Sequence, residues 1–272
     1  MQSQKSLALL ASIYLTTMVV GLHVGSFFLP LMYPPGGGEP VVQPAVSDPD
    51  SVSSSLHIFL YVLIVTAVVL LLMKHRLGYV IRAVMMLAFF SGMTFSLSSF
   101  IGDAGLLIAL VLSVVLYFRR NSLVLTNVSL CLALSGIGGW FGASLSLVPA
   151  LILLLVLAVY DFISVFITKH MVRIAEESKG DSLPLMFLIP FRERNLGIGT
   201  GDMVLPLVLT VSVFKDYGPG YAIPTAFGGL LGLVWLFYYI QGRGRTVLPA
   251  LPPIAAGLFI GLGMVWAVFN LV

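Results

Sequence analysis

Most of the chain consists of apolar stretches that are long enough to cross a lipid bilayer, separated by short polar connections. Of its 272 residues, 59% are hydrophobic and only 9% are charged. A soluble core could not bury this much apolar surface, and a helix needs about 20 apolar residues to cross the hydrocarbon region. The sequence therefore predicts an all-α membrane protein with nine transmembrane helices, over residues 6–30, 55–73, 77–99, 104–118, 122–142, 148–169, 197–214, 219–240 and 247–270.

Basic residues are distributed unevenly between the two sets of connections that nine spans create. Lys215 lies on one set, and the other 13 of the 14 Lys and Arg residues lie on the other. That richer set comprises the N-terminus and residues 74–82, 119–120, 169–194 and 241–246. Because Lys and Arg accumulate on the cytoplasmic side, we expect a cytoplasmic N-terminus and an outside C-terminus. A multi-pass protein of the cell membrane is the expected localisation.

Two acidic residues lie inside predicted spans, namely Asp161 in AVYDFISVF and Asp202 in GIGTGDMVLP, whereas the other nine of the 11 lie in connections or at span edges. A carboxylate at such depth costs at least about 2.5–3.5 kcal/mol, which suggests a function. From the span ends at Lys169 and Leu196, a rise of 1.5 Å per residue puts the acids about 12 Å and 9 Å deep. We expect both in the cytoplasmic third of the bilayer.

Two carboxyl groups that face each other do not both ionise easily, so such a pair shares one proton. One member can then activate a water, while the protonated member polarises a peptide carbonyl, as in aspartic proteases. This chemistry needs neither metal nor cofactor, and two carboxylates without a nearby His make a poor metal site. Structural hydrogen bonding of the acids remains open, as does a proton or cation relay in a transporter or ion channel. The net charge of +3 is too small to indicate nucleic-acid binding.

Glycines and prolines surround the predicted site. Gly197, Gly199 and Gly201 precede Asp202 and permit unusual backbone angles and close approach of another chain. The last span opens with TVLPALPPI, whose prolines leave backbone groups unpaired unless they simply start a helix. The tripeptide Pro-Ala-Leu also occurs at 149–151, far from both acids. The tripeptide alone therefore indicates little, and the copy at 249–251 is a candidate because of its position.

At these residues the chain resembles the presenilin and signal peptide peptidase family of intramembrane aspartyl proteases. Three motifs in the family's order carry the resemblance: Tyr160-Asp161, Gly199-Thr200-Gly201-Asp202 and Pro249-Ala250-Leu251. The resemblance implies that Asp161 and Asp202 form a catalytic dyad and that the other motif residues shape the site or bind substrate. It also favours a compact, presenilin-like microbial homologue, with helices 1–5 (1–142) expected as a scaffold and helices 6–9 (143–272) expected to carry the site.

The expected substrates are transmembrane helices of other proteins, which enter laterally from the lipid bilayer. A substrate would unwind near the glycines, pair as a strand with backbone near Pro249, and be cleaved toward its cytoplasmic end. No accessory subunit is evident from the sequence. Prepilin-type peptidases also carry a GxGD acid, but a Lys commonly follows it, whereas Met-Val-Leu-Pro follows Asp202.

Overall fold

A computed structural model describes residues 2–46, 48–75, 77–119, 122–164, 186–191, 194–243 and 249–271. Within these ranges the chain forms nine α-helices and one antiparallel pair of strands. The helices are α1 (Gln2–Met32), α2 (Val52–Lys74), α3 (Gly78–Ile101), α4 (Ala104–Phe118), α5 (Leu123–Ala143), α6 (Leu147–Ile163), α7 (Gly201–Tyr217), α8 (Pro219–Arg243) and α9 (Leu251–Leu271). The strands, β1 (Met186–Phe191) and β2 (Arg194–Gly199), lie between α6 and α7.

Each predicted span has a helix at its position. Helix α7 begins at Gly201 instead of residue 197, because residues 194–199 pair with β1 as a strand. The predicted extension of the sixth span to residue 169 lies outside the described residues. Among the described residues, six helices are long and apolar enough to cross a membrane, and the shorter α4 and α6 are apolar as well. The fold is that of a multi-pass membrane protein.

Helix α5 lies at the centre of the bundle, where it packs against α1, α3 and α7. The close approach depends on small residues, since a methyl group at Gly138 would lie 2.7 Å from the Leu207 side chain of α7. Several polar side chains in this core bond to backbone carbonyls, which offsets the cost of burying them. Ser135 Oγ of α5, for example, donates to the Thr17 carbonyl of α1 at 3.1 Å.

Helices α8 and α9 form the most extensive helix pair, and glycines make their contact possible. A methyl group at Gly228 would overlap the carbonyl oxygen of Gly257, and one at Gly257 would overlap the carbonyl oxygen of Gly228. Gly228 and Gly257 each begin a GxxxG pair, with Gly232 and Gly261 respectively, and this spacing is typical of closely packed membrane helices. The position of the α9 N-terminus is therefore fixed by α8.

The two ends of the bundle are distinct. At one end, the segment before α2 meets the start of α6 through a 3.1 Å bond from the Ser146 N–H to the Pro49 carbonyl. At the other end, the first turns of α1 meet the β-hairpin, since Ser6 Oγ donates to the Pro190 carbonyl. The N-terminus and the hairpin thus share one end, opposite the 34–54 connection.

Candidate active site

The hairpin of β1 and β2 forms one wall of the candidate site. Phe187 and Ile189 of β1 are fully buried and anchor the hairpin on the helix bundle, whereas Met186 and Pro190 point outward. This alternation is that of a strand with one face on the core. Sequence reasoning missed the hairpin, because its strands are short and their apolar residues continue the hydrophobic pattern of the neighbouring span.

Asp202 lies in the first turn of α7, directly after β2. Its carboxylate accepts a hydrogen bond from the backbone N–H of Gly199, the last residue of the strand. A methyl group at Gly199 would lie 2.9 Å from Asp202 Oδ2, so a side chain there would displace the carboxylate. At Gly201 the equivalent position faces open space, with no atom within 4 Å. The residues before Asp202 thus form a strand, where the start of a helical span was predicted.

Asp161 lies in the last described turn of α6, and it meets the start of α9. The backbone N–H of Leu251 donates to Asp161 Oδ2 at 3.3 Å. The first N–H groups of any helix lack partners within it. Because Pro252 and Pro253 have no N–H, only Leu251 and Ile254 keep a donor in the first turn, and Leu251 directs its own to Asp161. The prolines do start a helix, and they also leave one donor for the acid.

The two acids come from different helices, and Asp202 lines a cavity. The charge of Asp161 acts directly on the carboxyl group of Asp202, so the two are within electrostatic reach of each other. A cavity of about 240 Å³ opens beside Asp202. Its walls are apolar apart from that acid, and they consist of Leu10, Leu196, Gly197, Ile198, Leu233, Leu236, Phe237, Ile240 and Ala250.

The remaining predicted site residues occupy different positions. Ala250 lines the cavity, Pro249 is buried next to it, and Leu251 has 3% of its surface exposed. Thr200 precedes α7 and accepts the first backbone bonds of that helix through its carbonyl, without a side-chain cap. Tyr160 does not line the cavity, since its ring packs edge-on against Phe59 of α2 at 6.2 Å between centroids.

The site offers little to a metal ion. In the part of the chain that the structure describes, no three His, Cys, Asp or Glu side chains come together as a potential metal site. Two carboxyl groups with backbone N–H donors suit proton transfer to and from a water molecule. The sequence did not reveal that α1 and α8 contribute cavity walls, because that depends on how the helices pack.

Comparisons with known proteins agree with this geometry. Residues 39–196, more than half of the chain, match the family described as signal-peptide peptidase, presenilin aspartyl protease. That match includes Asp161 and ends just before the motif at Asp202. Among curated proteins, no significant match was found.

Two solved structures of a presenilin family intramembrane aspartate protease have the same fold. The one in the C222 space group is 23% identical, with a TM-score of 0.67 over 96% of this chain and 98% of that chain. The one in the P2 space group is 24% identical, with a TM-score of 0.67 over 94% of this chain and 97% of that chain. The family match excludes the transporter and prepilin-type readings. The chain belongs to the signal-peptide peptidase and presenilin family, and it is an intramembrane aspartyl protease.

Proposed function

We propose that Asp161 and Asp202 are the catalytic dyad and that they cleave transmembrane helices of other membrane proteins. One observation carries the proposal: two carboxyl groups from different helices lie within electrostatic reach of each other, and one of them, Asp202, lines an apolar cavity. Each group is held by a backbone N–H, from Leu251 and Gly199 respectively. Both acids come from this chain.

The reaction follows from a shared proton. The ionised carboxylate removes a proton from a water molecule, whose oxygen attacks the scissile carbonyl carbon. The protonated carboxyl group gives its proton to the carbonyl oxygen, which produces a tetrahedral gem-diol. The proton taken from water then passes to the peptide nitrogen, and one gem-diol hydroxyl returns its proton to the other carboxylate. The C–N bond breaks as the carbonyl re-forms, which releases a carboxylic acid and an amine and restores the singly protonated dyad.

The outer edge of β2 is the part of the structure that best suits an unwound substrate. In the register, Leu188 of β1 faces Gly197 of β2, and both backbone groups of Leu188 point away from β2 toward Asn127. This is a non-hydrogen-bonded pair, so the N–H and C=O of Gly197 point to the opposite, outer edge of β2. Gly197 is exposed and lines the cavity beside Asp202. A substrate strand that pairs there would pass directly by the dyad.

Apolar substrate side chains fit the cavity beside this edge. Its α8 wall contains Leu233, Leu236 and Phe237, all nearly fully buried, and the cavity has no charged group besides Asp202 among its lining residues. A residue next to the scissile bond therefore meets the same environment that it leaves in lipid. Transmembrane helices supply such residues, whereas soluble peptides with charged side chains do not.

The dyad is proposed to face the cytoplasmic side of the cell membrane. Asp161 and Asp202 lie at the end of the bundle that also holds the hairpin and the first turns of α1. The connections on that side carry most Lys and Arg residues, which favours a cytoplasmic location. Cleavage is therefore expected toward the cytoplasmic part of the substrate helix, with the N-terminus inside and the C-terminus outside.

The dyad is tested with purified protein in liposomes and a single-span substrate. We compare the wild type with Asp161→Asn and Asp202→Asn, which keep the shape of each side chain and remove its acid. Both variants should lose all measurable cleavage while keeping the thermal stability of the wild type. Cleavage by either variant at the wild-type rate contradicts the assignment of that residue.

A matched control is available at Asp103, an exposed acid next to the first turn of α4 that makes no side-chain cap bond. Asp103→Asn removes the same charge away from the cavity, and it should leave kcat unchanged. If Asp103→Asn also abolished cleavage, loss of activity in the other two variants would not report on the dyad.

A further inference from the structure

A single amide in α5 pairs with β1 in the way that a neighbouring strand would. Asn127 Nδ2 donates to the Leu188 carbonyl at 2.9 Å, and the Leu188 N–H donates to Asn127 Oδ1 at 3.1 Å. The two bonds satisfy both backbone groups that Leu188 turns away from β2. The sequence shows Asn127 only as part of Asn-Val-Ser, which resembles a glycosylation site inside an apolar span.

Asn127 makes the two edges of the hairpin unequal. A two-stranded sheet has two outer edges, and either one can accept a further strand. On β1, Asn127 forms hydrogen bonds with both backbone groups of Leu188. The carbonyl of Pro190 accepts a hydrogen bond from Ser6 Oγ, and proline has no N–H. On β2, Gly197 presents its backbone groups to the cavity. The edge whose backbone groups adjoin the cavity is therefore the one beside Asp202.

We propose that Asn127 is a positioning residue for proteolysis: it clamps β1 to α5 and thereby fixes the height of β2 relative to the dyad. This inference rests on the proposed pairing of substrate with β2. Strand pairing has a period of two residues, so a shift of the hairpin presents a different peptide bond to Asp202. Asn127 accordingly determines which bond of the substrate is cut, although it does not contact the substrate.

A purely structural role makes a different prediction. If Asn127 only satisfied its own amide in an apolar surrounding, its loss would change stability and leave the cleavage position alone. The useful readout is therefore the set of cleavage sites, measured by mass spectrometry of the products, together with kcat and KM. Stability is followed in parallel by thermal unfolding.

The main variant is Asn127→Leu, which has a similar volume and makes neither bond. We expect products whose ends are spread over one or two additional residues. We also expect kcat to fall by about 10- to 100-fold, the range for reacting groups misplaced by about 1 Å, with a smaller change in KM. Asn127→Asp keeps the acceptor for the Leu188 N–H and loses the donor, so its products and kcat should lie between those of wild type and Asn127→Leu.

Ser129 provides the matched control, since it lies two residues further along α5. Its Oγ is buried and has no hydrogen-bond partner among the residues that the structure describes. Ser129→Ala should leave the cleavage sites, kcat and thermal stability as they are in the wild type. A shift of cleavage sites in Ser129→Ala would mean that any change in α5 has this effect, and it would overturn the specific role of Asn127.

The outcomes separate this inference from the proposed function. Wild-type cleavage sites and kcat in both Asn127 variants overturn the positioning role and leave the dyad untouched. Lower thermal stability with unchanged cleavage sites also overturns it. If Asn127→Leu does not fold, Asn127→Asp decides in the same way, because the inference predicts altered sites for it as well. Loss of cleavage in Asp161→Asn and Asp202→Asn is independent of all these results.

Discussion

The backbone N–H of Leu251 donates to Asp161 Oδ2 at 3.3 Å, although 90 residues separate the two in the sequence. This bond attaches a proposed catalytic acid of α6 to the first residue of α9. The N-terminus of a helix carries a partial positive charge, which favours a carboxylate placed there. The Pro-Ala-Leu motif therefore contacts Asp161 through the backbone N–H of Leu251, while Ala250 lines the cavity beside Asp202.

Removing this N–H should inactivate the enzyme more than removing the Leu251 side chain does. Leu251→Pro deletes the donor at a helix position that tolerates proline, and we expect kcat to fall by about 100-fold as Asp161 loses its orientation. Leu251→Ala keeps the donor and loses a buried side chain, so it should destabilise by about 2–5 kcal/mol with a smaller effect on kcat. Equal kcat values for the two variants in liposomes would contradict the role of the N–H.

Gly199 and Gly201 should differ in their response to an added methyl group. Gly199→Ala places that group 2.9 Å from Asp202 Oδ2, so we expect kcat to fall by about 100-fold as the carboxylate shifts. Gly201→Ala meets open space in the free enzyme, on the side where substrate would approach, so its effect should fall on KM. Steady-state kinetics with one substrate distinguishes the two effects.

Gly263 of α9 is the control for these variants, because a methyl group there also meets no atom within 4 Å. The residue does not line the cavity beside Asp202. Gly263→Ala should leave both kcat and KM unchanged. The interpretation fails if Gly199→Ala is as active as Gly263→Ala.

The cavity beside Asp202 should set the size of the substrate side chain that it accepts. Ile240→Ala enlarges the cavity at a half-buried position, and it should raise the preference for Phe over Ala next to the cleaved bond. A change of about 10-fold in the ratio of kcat/KM values is expected from the apolar volume involved. Leu231→Ala changes an exposed residue of the same helix outside the cavity, and the ratio should stay at its wild-type value.

Labelling from the two sides of the membrane tests the proposed orientation. Val41 lies in the connection opposite the dyad and has 78% of its surface exposed, so Val41→Cys should react with an impermeant thiol reagent from outside intact cells. The experiment uses a Cys131→Ala background, since Cys131 is the single native cysteine. Reaction only after the cytoplasmic side is opened would reverse the orientation and move the dyad to the outer side.

The helix positions and the pair of acids were predictable because each depends on local sequence. A run of about 20 apolar residues defines a span, and an acid inside such a run is costly wherever the helix packs. Asp161 and Asp202 can each be recognised from their own span, without any tertiary contact. The start of α7 was predicted less well, since residues 197–199 were expected to open that span and belong to a strand instead.

The contacts that organise the site depend on tertiary packing and leave little trace in the sequence. MFLIPF and RNLGIG fit either a strand or the edge of a helix, and a short apolar run cannot decide between them. The pairing of Asn127 with Leu188 and the bond from Leu251 to Asp161 join residues far apart in the chain. Proximity in the sequence can also mislead. Tyr160 is adjacent to Asp161 in the motif, yet its ring packs against Phe59 and does not line the cavity.

The exposed edge of β2 has a consequence for substrate choice. Backbone groups at an edge recognise any extended segment, whatever its side chains, so discrimination must come largely from elsewhere. A transmembrane helix has to give up its internal hydrogen bonds in lipid before it can form bonds with Gly197, and unpaired backbone groups there cost several kcal/mol each. Helices that contain glycine, or that are frayed near the membrane surface, lose the least in this exchange. The enzyme would thus select substrates by how readily their helices unwind more than by their amino-acid sequence.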